Sequence, residues 1–284
     1  MPRPVQLLTI SQARAFRQDR NAKVVAFVPT MGALHAGHAS LVAQARALAG
    51  PDGIVLASIF VNPTQFAPHE DYARYPRTLD ADLAILQANG CDALFLPAAE
   101  EMYPPTSTTR TAIHPGQIAR DLEGAIRPGH FAGVCIVVAK LLNILTPTHL
   151  LLGQKDFQQQ AILRKMVADL DMPVEVITCP TVREPDGLAM SSRNRYLDAD
   201  QRGRAVVLSE ALRWGVEQAK SNAEPGAIES GMAMMISDRG LQAQYVAVCR
   251  RSDLQPLHEI ERGNTVLLVA AKNGETRLID NMLA

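Results

Sequence analysis

Cysteine is scarce in this 284-residue sequence, and its four copies are scattered without a C-x-x-C pair. That spacing argues against a disulfide framework or a zinc site and predicts reduced thiols that are mostly buried. No apolar run is long enough to span a bilayer, and the N-terminus lacks the charged start, apolar stretch and cleavage site of a signal peptide. From these absences we expect a cytoplasmic protein.

An excess of charge of either sign is also missing, since 28 Lys and Arg residues stand against 29 Asp and Glu residues. Without a general basic field, neither nucleic acid nor a membrane surface is an expected partner. Hydrophobic residues make up 47% of the chain, which is enough for a real core. We therefore expect a folded globular protein with one large domain, or with a larger and a smaller one.

Apolar runs of strand length alternate with helical patterns through the first two-thirds of the chain. Thr9 and Gln12 have capping-box spacing ahead of the first helix, and Pro29 is expected to close the strand that follows it. Strands are predicted at 23–28, 54–61, 93–96, 149–152 and 174–178, and the later helices at 38–48, 78–89, 134–145 and 157–170. This alternation predicts an α/β fold with a parallel sheet, which binds ligands at the carboxyl ends of its strands.

The pattern changes near Arg183. A long charged helix is predicted over 198–220, followed by a second helical stretch and by strand-like runs at 244–249, 265–270 and 276–279. The short turn at 272–274 favours antiparallel pairing of the last two runs. We predict a second, smaller α+β domain here.

The segment PTMGALHAGH (29–38) lies where the first strand leads into the first helix of the alternation. Gly32 and Gly37 let the backbone approach a phosphate, and a helix beginning near His38 points free N–H groups at that anion. His35 and His38, three residues apart, can face the same phosphate and stabilise charge on it. Two alternatives stay open: an ordinary turn with structural histidines, or a metal site, for which the sequence offers no third ligand at a suitable spacing.

Two further segments are rich in groups that bind phosphate. In GLAMSSRN (187–194), the hydroxyls of Ser191 and Ser192 and the guanidinium of Arg193 can clamp phosphate oxygens across a cleft, although an ordinary capped turn has the same composition. In GQKDFQQ (153–159), Lys155 can neutralise phosphate at the start of a helix; the alternative is a solvated lysine.

Neutral amides and a basic loop supply candidates for a second ligand. Asn62 and Gln65, in VNPTQF, can bond a hydroxyl and a carboxylate without forming an inert ion pair, and Gln159 lies one turn beyond Lys155. Asn-Pro is also an ordinary turn signal. In RPGHF (127–131), Arg127 and His130 either line the cleft or serve as a surface charge and a structural hydrogen bonder.

Further distinctive segments of the chain are YPRTLDAD, LEGAIRPGHFAGV, VAKLLNI, REPDGLAMSSRNRYL and TRLIDN. Together with the segments above, and in the same order, they resemble the pantothenate synthetase (pantoate–β-alanine ligase) family of the class I nucleotidyltransferase superfamily. The resemblance implies a Rossmann-like parallel sheet with helices on both faces over residues 1–182, a smaller C-terminal α+β lid over 183–284, and a homodimer. It also implies ATP-dependent condensation of pantoate with β-alanine through a pantoyl-adenylate, with Mg²⁺ carried mainly by phosphate oxygens.

The resemblance further assigns roles to individual residues. His38 is implied as the principal catalytic histidine and His35 as its assistant, and Lys155 and Arg193 would absorb charge with them. ATP contacts are implied for Met31, Gly32, Ala33, Leu34, His35, Ala36, Gly37, His38, Gly153, Gln154, Lys155, Asp156, Val182, Met190, Ser191, Ser192 and Arg193. Substrate contacts are implied for Gln65, Gln159, Asn62 and Arg127. Ala36 and Gln154 stand where many members of the family have an acidic residue, so a carboxylate role in metal binding or in orienting Lys155 is in doubt.

Two other function classes fit the same phosphate-binding motifs. One is a nucleotidylyltransferase or a synthetase-like activator of another carboxylic acid, which is distinguished by its product. The other is a nucleotide-binding module without turnover. A tRNA-binding role lacks both an obvious basic surface and an appended anticodon domain.

Overall fold

The computed structural model describes residues 1–20, 22–68, 70–106 and 111–284, and these form two compact units. The first unit comprises Met1–Gly153 and Ile162–Cys179, and the second comprises Gln154–Ala161 and Pro180–Ala284. The functional division into a nucleotide domain over 1–182 and a lid over 183–284 stays a prediction. Within the described ranges, no helix is both long enough and apolar enough to cross a membrane.

A six-stranded sheet forms the centre of the first unit. All of its strand pairs are parallel, and their spatial order is β1-β4-β3-β2-β5-β6. The strands are β1 Val5–Leu7, β2 Val25–Thr30, β3 Ile54–Ile59, β4 Ala93–Phe95, β5 His149–Gly153 and β6 Glu175–Cys179. The predicted parallel sheet is confirmed, and β1 adds a short edge strand that the sequence pattern did not indicate.

Helices cover both faces of this sheet, as predicted. They are α1 Ile10–Gln18, α2 Ala36–Ala49, α3 Leu79–Ala88, α4 Ala99–Met102, α5 Glu123–Ile126, α6 His130–Leu145 and α7 Phe157–Asp169. One apolar cluster contains Val42 of α2 and Leu86 of α3, and the other contains Phe16 of α1 and Val134 of α6. Thr9 caps α1 through the predicted capping box with Gln12.

The expectation that Pro29 closes the first strand is wrong, because β2 continues to Thr30. The carbonyl of Val25 accepts a hydrogen bond from the N–H of Thr148, just before β5. Because backbone groups alternate in direction along a strand, the N–H and C=O groups of the odd-numbered residues of β2 point towards β5. Pairing with β5 ends at Phe27. Proline has no backbone N–H, but at position 29 no neighbouring strand needs that donor, so β2 can include Pro29.

Two predicted helices have different bounds. Helix α6 begins at His130 rather than 134, because Gly129 takes a left-handed conformation with φ of 82° and turns the chain directly into the helix. The charged stretch over 198–220 forms two helices, α8 Ala199–Ala205 and α9 Val207–Lys220.

The second unit contains a three-stranded antiparallel sheet packed against helices, which confirms the predicted α+β pattern. Its strands are β7 Gln242–Arg250, β8 Thr265–Asn273 and β9 Thr276–Leu283, in that spatial order. Helix α10 spans Pro225–Asp238. The core joins Leu212 of α9 and Met232 of α10 to Val248 and Leu267 of the sheet.

Candidate active site

The topology of the first unit points to one edge of its sheet. The chain leaves β2 towards β3 on one side and returns with β5 on the other side of β2. In open parallel sheets such a reversal leaves a crevice at the carboxyl ends of the strands, where ligands bind. Residues 31–35 follow β2 at this edge, and Asn62–Gln65 follow β3.

The two histidines lie side by side at the start of α2. His35 is the N-cap residue, and its Nδ1 accepts the N–H of Gly37 at 3.1 Å. Nδ1 of His38 accepts the N–H of His35 at 3.3 Å, and the ring centroids are 4.2 Å apart. Because each Nδ1 acts as an acceptor, each neutral ring carries its proton on Nε2 and donates from there. A reciprocal capping box explains why the two rings lie together. That both face one phosphate stays a prediction.

Asp82 of α3 holds the backbone just before the histidines. Its buried carboxylate accepts the N–H of Ala33 at 3.1 Å and the N–H of Leu34 at 2.8 Å, and the hydroxyl of Thr78 donates to it at 3.0 Å. Ala33 has φ of 52° and Gly32 has φ of 87°, which are left-handed values that need outside support. No motif in the sequence singles out Asp82.

A network of buried amides follows β3. Asn62 is 1% exposed, and its Nδ2 donates to Gln65 Oε1 and to the carbonyl of Gly133, both at 3.0 Å. Gln65 Nε2 contacts Met31 Sδ at 3.4 Å, which places the Gln65 amide beside the histidine-bearing segment. Asn62 thus orients Gln65, and its direct contact with a substrate stays a prediction.

Helix α6 packs against this turn without any side chain between them. A Cβ built at Gly133 would lie 2.3 Å from the carbonyl oxygen of Thr64 and 2.8 Å from Cα of Gln65. Such distances are far inside van der Waals contact, so only glycine fits. The closeness of α6 therefore fixes where Gln65 sits.

Arg127 and His130 extend the same network. Arg127 donates from Nε and Nη2 to the two carboxylate oxygens of Glu70, at 2.6 and 2.8 Å. Its Nη1 lies 3.0 Å from His130 Nε2, and His130 Nδ1 lies 2.8 Å from the carbonyl oxygen of Gln65. A neutral His130 satisfies both contacts by accepting from Arg127 and donating to Gln65. The structural alternative for His130 is confirmed; substrate binding by Arg127 stays a prediction.

The electrostatics of this cluster follow from burial and from the fixed charge of Arg127. Burial, and then the positive charge of Arg127, lowers the pKa of His130 to about 4. Burial alone would raise the pKa of Glu70, but the hydrogen bond and charge of Arg127 hold it below its ordinary value. His130 is therefore neutral at physiological pH.

This low pKa makes folding stability depend on pH. Between pH 6.5 and about 4, His130 takes up a proton in the unfolded chain but not in the folded one. The free energy of unfolding should therefore fall as pH drops through that window, by about 3 kcal/mol at roughly 1.4 kcal/mol per pKa unit. Urea unfolding at several pH values measures this loss.

The matched variant for this measurement is His130→Asn, which keeps an N–H donor near Gln65 but does not titrate. It should be less stable at pH 7 and lose less stability towards pH 4.5. Protonation of Glu70 lowers the stability only below pH 4.5, its ordinary pKa, so the loss of stability above that pH is assigned to His130. Equal pH slopes in the two proteins would contradict this assignment.

In the second unit, Lys155 follows Gln154 in the turn that leads into α7. Asn281 of β9 donates from Nδ2 to the carbonyl oxygens of Gln154 and Lys155, both at 2.9 Å. Gln154 Nε2 in turn donates to Asn281 Oδ1 at 3.1 Å. Gln159 is half-buried on α7. The segment TRLIDN contributes to the family resemblance, but no spacing in the sequence links Asn281 to Lys155.

The serine-arginine segment forms a capped 3₁₀ turn over Ser192–Tyr196. Ser191 Oγ accepts the N–H of Arg193 at 3.3 Å. Asn194 donates to Glu184 Oε1 at 2.9 Å and to the carbonyl of Ala189 at 3.1 Å, which ties the turn to the preceding hairpin. The capped turn is confirmed as local geometry; phosphate binding by this segment stays a prediction.

The cysteines and the acidic residues that the structure describes add no second candidate centre. All four cysteines are buried and free, and burial raises the pKa of Cys91 to about 12 and those of Cys135 and Cys179 to about 11. These thiols are poor nucleophiles at neutral pH. Among the residues that the structure describes, no three His, Cys, Asp or Glu side chains are grouped as metal ligands.

Comparisons with known proteins place this geometry in a family. The profile of the pantoate-beta-alanine ligase family matches residues 6–283. The bifunctional pantoate ligase/cytidylate kinase of Synechococcus elongatus is 45% identical over 280 residues, which cover 98% of this chain and 52% of that protein. The chain thus spans about half the length of that relative.

Two solved structures are similar over nearly the whole chain. Pantothenate synthetase from Thermus thermophilus superposes with a TM-score of 0.91 and 42% identity, covering 98% of each chain. Pantoate-beta-alanine ligase from Francisella tularensis, complexed with beta-gamma ATP and beta-alanine, superposes with a TM-score of 0.82 and 36% identity, covering 99% of this chain and 97% of that one.

Proposed function

The chain belongs to the pantoate–β-alanine ligase family, and on that premise we propose that it condenses pantoate with β-alanine, using ATP, through a pantoyl-adenylate. The observation that carries the proposal is the start of α2, where the two imidazole ring centroids lie 4.2 Å apart and follow Met31, whose Sδ contacts the amide of Gln65. Two Nε2–H donors suit a phosphate, and a neutral amide suits a substrate carboxylate or hydroxyl.

In the first step, a carboxylate oxygen of pantoate attacks the α-phosphorus of ATP in line. The bond between that phosphorus and the bridging oxygen to the β-phosphate breaks, and pyrophosphate leaves. His35 and His38 donate from Nε2 to phosphate oxygens where negative charge develops. By the family resemblance we assign Lys155 and Arg193 to neutralising phosphate charge of ATP, and Met190, Ser191 and Ser192 to further donors and packing.

Pantoate is held by Gln65 and Gln159, both of which are neutral. An arginine or lysine on the reacting carboxylate would lower its nucleophilicity, whereas an amide orients it without neutralising its charge. The fork of Arg127 bonds both oxygens of Glu70, so its charge is already paired, and its predicted contact with pantoate would neutralise the substrate less than an unpaired cation would. Asn62 keeps the amide of Gln65 in the required direction.

In the second step, the unprotonated amine of β-alanine attacks the carbonyl carbon of the adenylate. A C–N bond forms, the C–O bond to the phosphate breaks, and AMP leaves with an oxygen that came from pantoate. The amine loses its extra proton to solvent. Exclusion of water protects the mixed anhydride until the amine arrives.

The direct test measures AMP formation by the purified protein with ATP and with pantoate and β-alanine added singly or together. Steady AMP release should require both. A product that retains the nucleotide would indicate a nucleotidylyltransferase instead. ATP that binds without turnover in the presence of both substrates would indicate a binding module. Another acid that replaces pantoate more efficiently would indicate a different acid-activating ligase.

Asp82 supplies a prediction within this function. Asp82→Asn turns one of its accepting oxygens into a donor opposite a backbone N–H, so the segment that carries the histidines loses its support. The KM for ATP should rise about tenfold, and the free energy of unfolding should fall by about 2 kcal/mol. Initial rates at varied ATP and urea unfolding check both values.

The matched control is Asp80→Asn, because Asp80 is an exposed acid on the same helix. This variant should leave the KM for ATP within about twofold, and the free energy of unfolding within about 0.5 kcal/mol, of the values of the parent protein. A folded Asp82→Asn protein with an unchanged KM for ATP would show that the loop does not need this carboxylate.

We further propose that Mg²⁺ enters bound to ATP as part of the substrate, that the protein is a homodimer and that it works in the cytoplasm. The described residues offer no cage of protein ligands, which suits a cation carried by phosphate oxygens. Light scattering coupled to size-exclusion chromatography tests the dimer.

A further inference from the structure

Two adjacent residues of β9, Asp280 and Asn281, hold two segments that are far away in the sequence. The two carboxylate oxygens of Asp280 accept hydrogen bonds from Nη1 and Nη2 of Arg183, at 2.6 and 3.0 Å. The side chain of Asn281 donates hydrogen bonds to the backbone carbonyls of Gln154 and Lys155. Successive side chains of a strand point to opposite faces, so neighbouring residues can serve separate segments. Both segments contain residues that the proposed function assigns to ATP.

The side chain of Asn281 directs three hydrogen bonds to one turn. Nδ2 has two protons, and it makes two bonds of 2.9 Å, to the carbonyl oxygens of Gln154 and Lys155. Oδ1 accepts from Gln154 Nε2 at 3.1 Å. The residue is 1% exposed, so water cannot replace these bonds when they are lost.

The pair of carbonyls is what makes this contact specific for Lys155. The carbonyl of Gln154 belongs to the peptide plane before the Lys155 Cα, and the carbonyl of Lys155 belongs to the plane after it. Fixing both planes fixes φ and ψ of Lys155 and therefore the direction of its Cα–Cβ bond. A long, flexible ammonium side chain gains most from such an anchor, because its own rotamers are many.

We infer that Asn281 is a positioning residue that acts through Lys155, aiming its ammonium group at the phosphates of ATP. The inference rests on the proposed function for the role of Lys155. It also explains Gln154, which stands where the family resemblance leads one to expect an acidic residue. Its neutral amide donates to Oδ1 of Asn281, an atom that can only accept.

The test measures the Kd for ATP by calorimetry and the KM for pantoate by initial rates, in the full-length protein. Asn281→Ala should weaken ATP binding about tenfold and leave the KM for pantoate within about twofold. Asn281→Ser, whose hydroxyl keeps one hydrogen-bond donor at this position, should fall between Asn281→Ala and the parent protein and covers the case in which Asn281→Ala does not fold. Unchanged ATP binding in whichever variant folds would overturn the inference.

The matched control is Asn273→Ala. Asn273 is a buried asparagine of the neighbouring strand, and its Nδ2 donates to the carbonyl of Gln201 at 2.7 Å. Its loss should lower the melting temperature about as much as Asn281→Ala does, without changing the Kd for ATP. If Asn273→Ala weakens ATP binding equally, the effect of Asn281 is general destabilisation and the inference fails.

A double-mutant cycle separates action through Lys155 from a direct effect. In a Lys155→Ala background, adding Asn281→Ala should change the Kd for ATP by less than about twofold, because the group being aimed is already gone. Full additivity would overturn the inference. If the parent protein binds ATP but forms no AMP, and the cycle is still non-additive, the proposed function fails while the positioning role stands.

Discussion

Replacing His38 by Ala is expected to lower pantoate-dependent ATP–pyrophosphate exchange by about 10²- to 10³-fold, the usual effect of removing one donor that stabilises transition-state charge. Nδ1 of His38 accepts the N–H of His35, so the ring can offer only Nε2 to a phosphate. The variant loses that donor at the point where α2 begins. Isotope exchange between labelled pyrophosphate and ATP, with pantoate present and β-alanine absent, isolates this step.

The complication is that His38 also belongs to the capping box of α2. His38→Gln separates the two roles, because glutamine at the third helical position accepts the N–H of the N-cap residue as well as histidine does. This variant should melt within a few degrees of the parent protein and still lose exchange activity. A His38→Gln protein with parental exchange would contradict a catalytic role for the imidazole.

Gly133→Ala is expected to have the second-largest effect. The added methyl would lie 2.3 Å from the carbonyl oxygen of Thr64, so α6 and the turn that carries Gln65 must move apart. Overpacking of this severity should lower the free energy of unfolding by about 3 kcal/mol. The KM for pantoate should rise more than about tenfold, because the position of Gln65 changes. Urea unfolding and initial rates at varied pantoate measure these effects.

Gly203→Ala provides the control for this substitution. Gly203 also lies in a helix, but a Cβ built there meets nothing within 4 Å. Alanine should therefore keep or raise the stability, by up to about 1 kcal/mol, and leave the KM for pantoate unchanged. If Gly133→Ala behaves like Gly203→Ala, the close approach of α6 does not position Gln65.

The parallel sheet was predictable because its central strands are continuous apolar runs. Strands β2 and β3 are buried on both faces, and such runs stand out from the helical patterns between them. Strand β1 has three residues and Val5 is exposed, so its pattern was too short to recognise. A proline such as Pro29 usually suggests the end of a strand. Here its missing N–H would face β5 at a point where β2 and β5 are no longer paired, and only the register of the two strands reveals this.

The candidate site was predictable only where its chemistry is local. His35 and His38 are three residues apart on one helix start, so their pairing follows from spacing. Asp82 reaches the backbone of Ala33 across 49 residues, and Asn281 reaches Lys155 across 126. A carboxylate or an amide at such a distance looks like any other polar residue until the fold brings it to its partner.

The measurement that tests the adenylate most directly starts from pantoate labelled with ¹⁸O in its carboxylate. Complete turnover with ATP and β-alanine should leave one labelled oxygen in AMP and none in pyrophosphate, because the attacking carboxylate oxygen stays on the α-phosphorus. Label found in a phosphate other than that of AMP, or unlabelled AMP formed alongside pantothenate, would contradict attack of pantoate on that phosphorus.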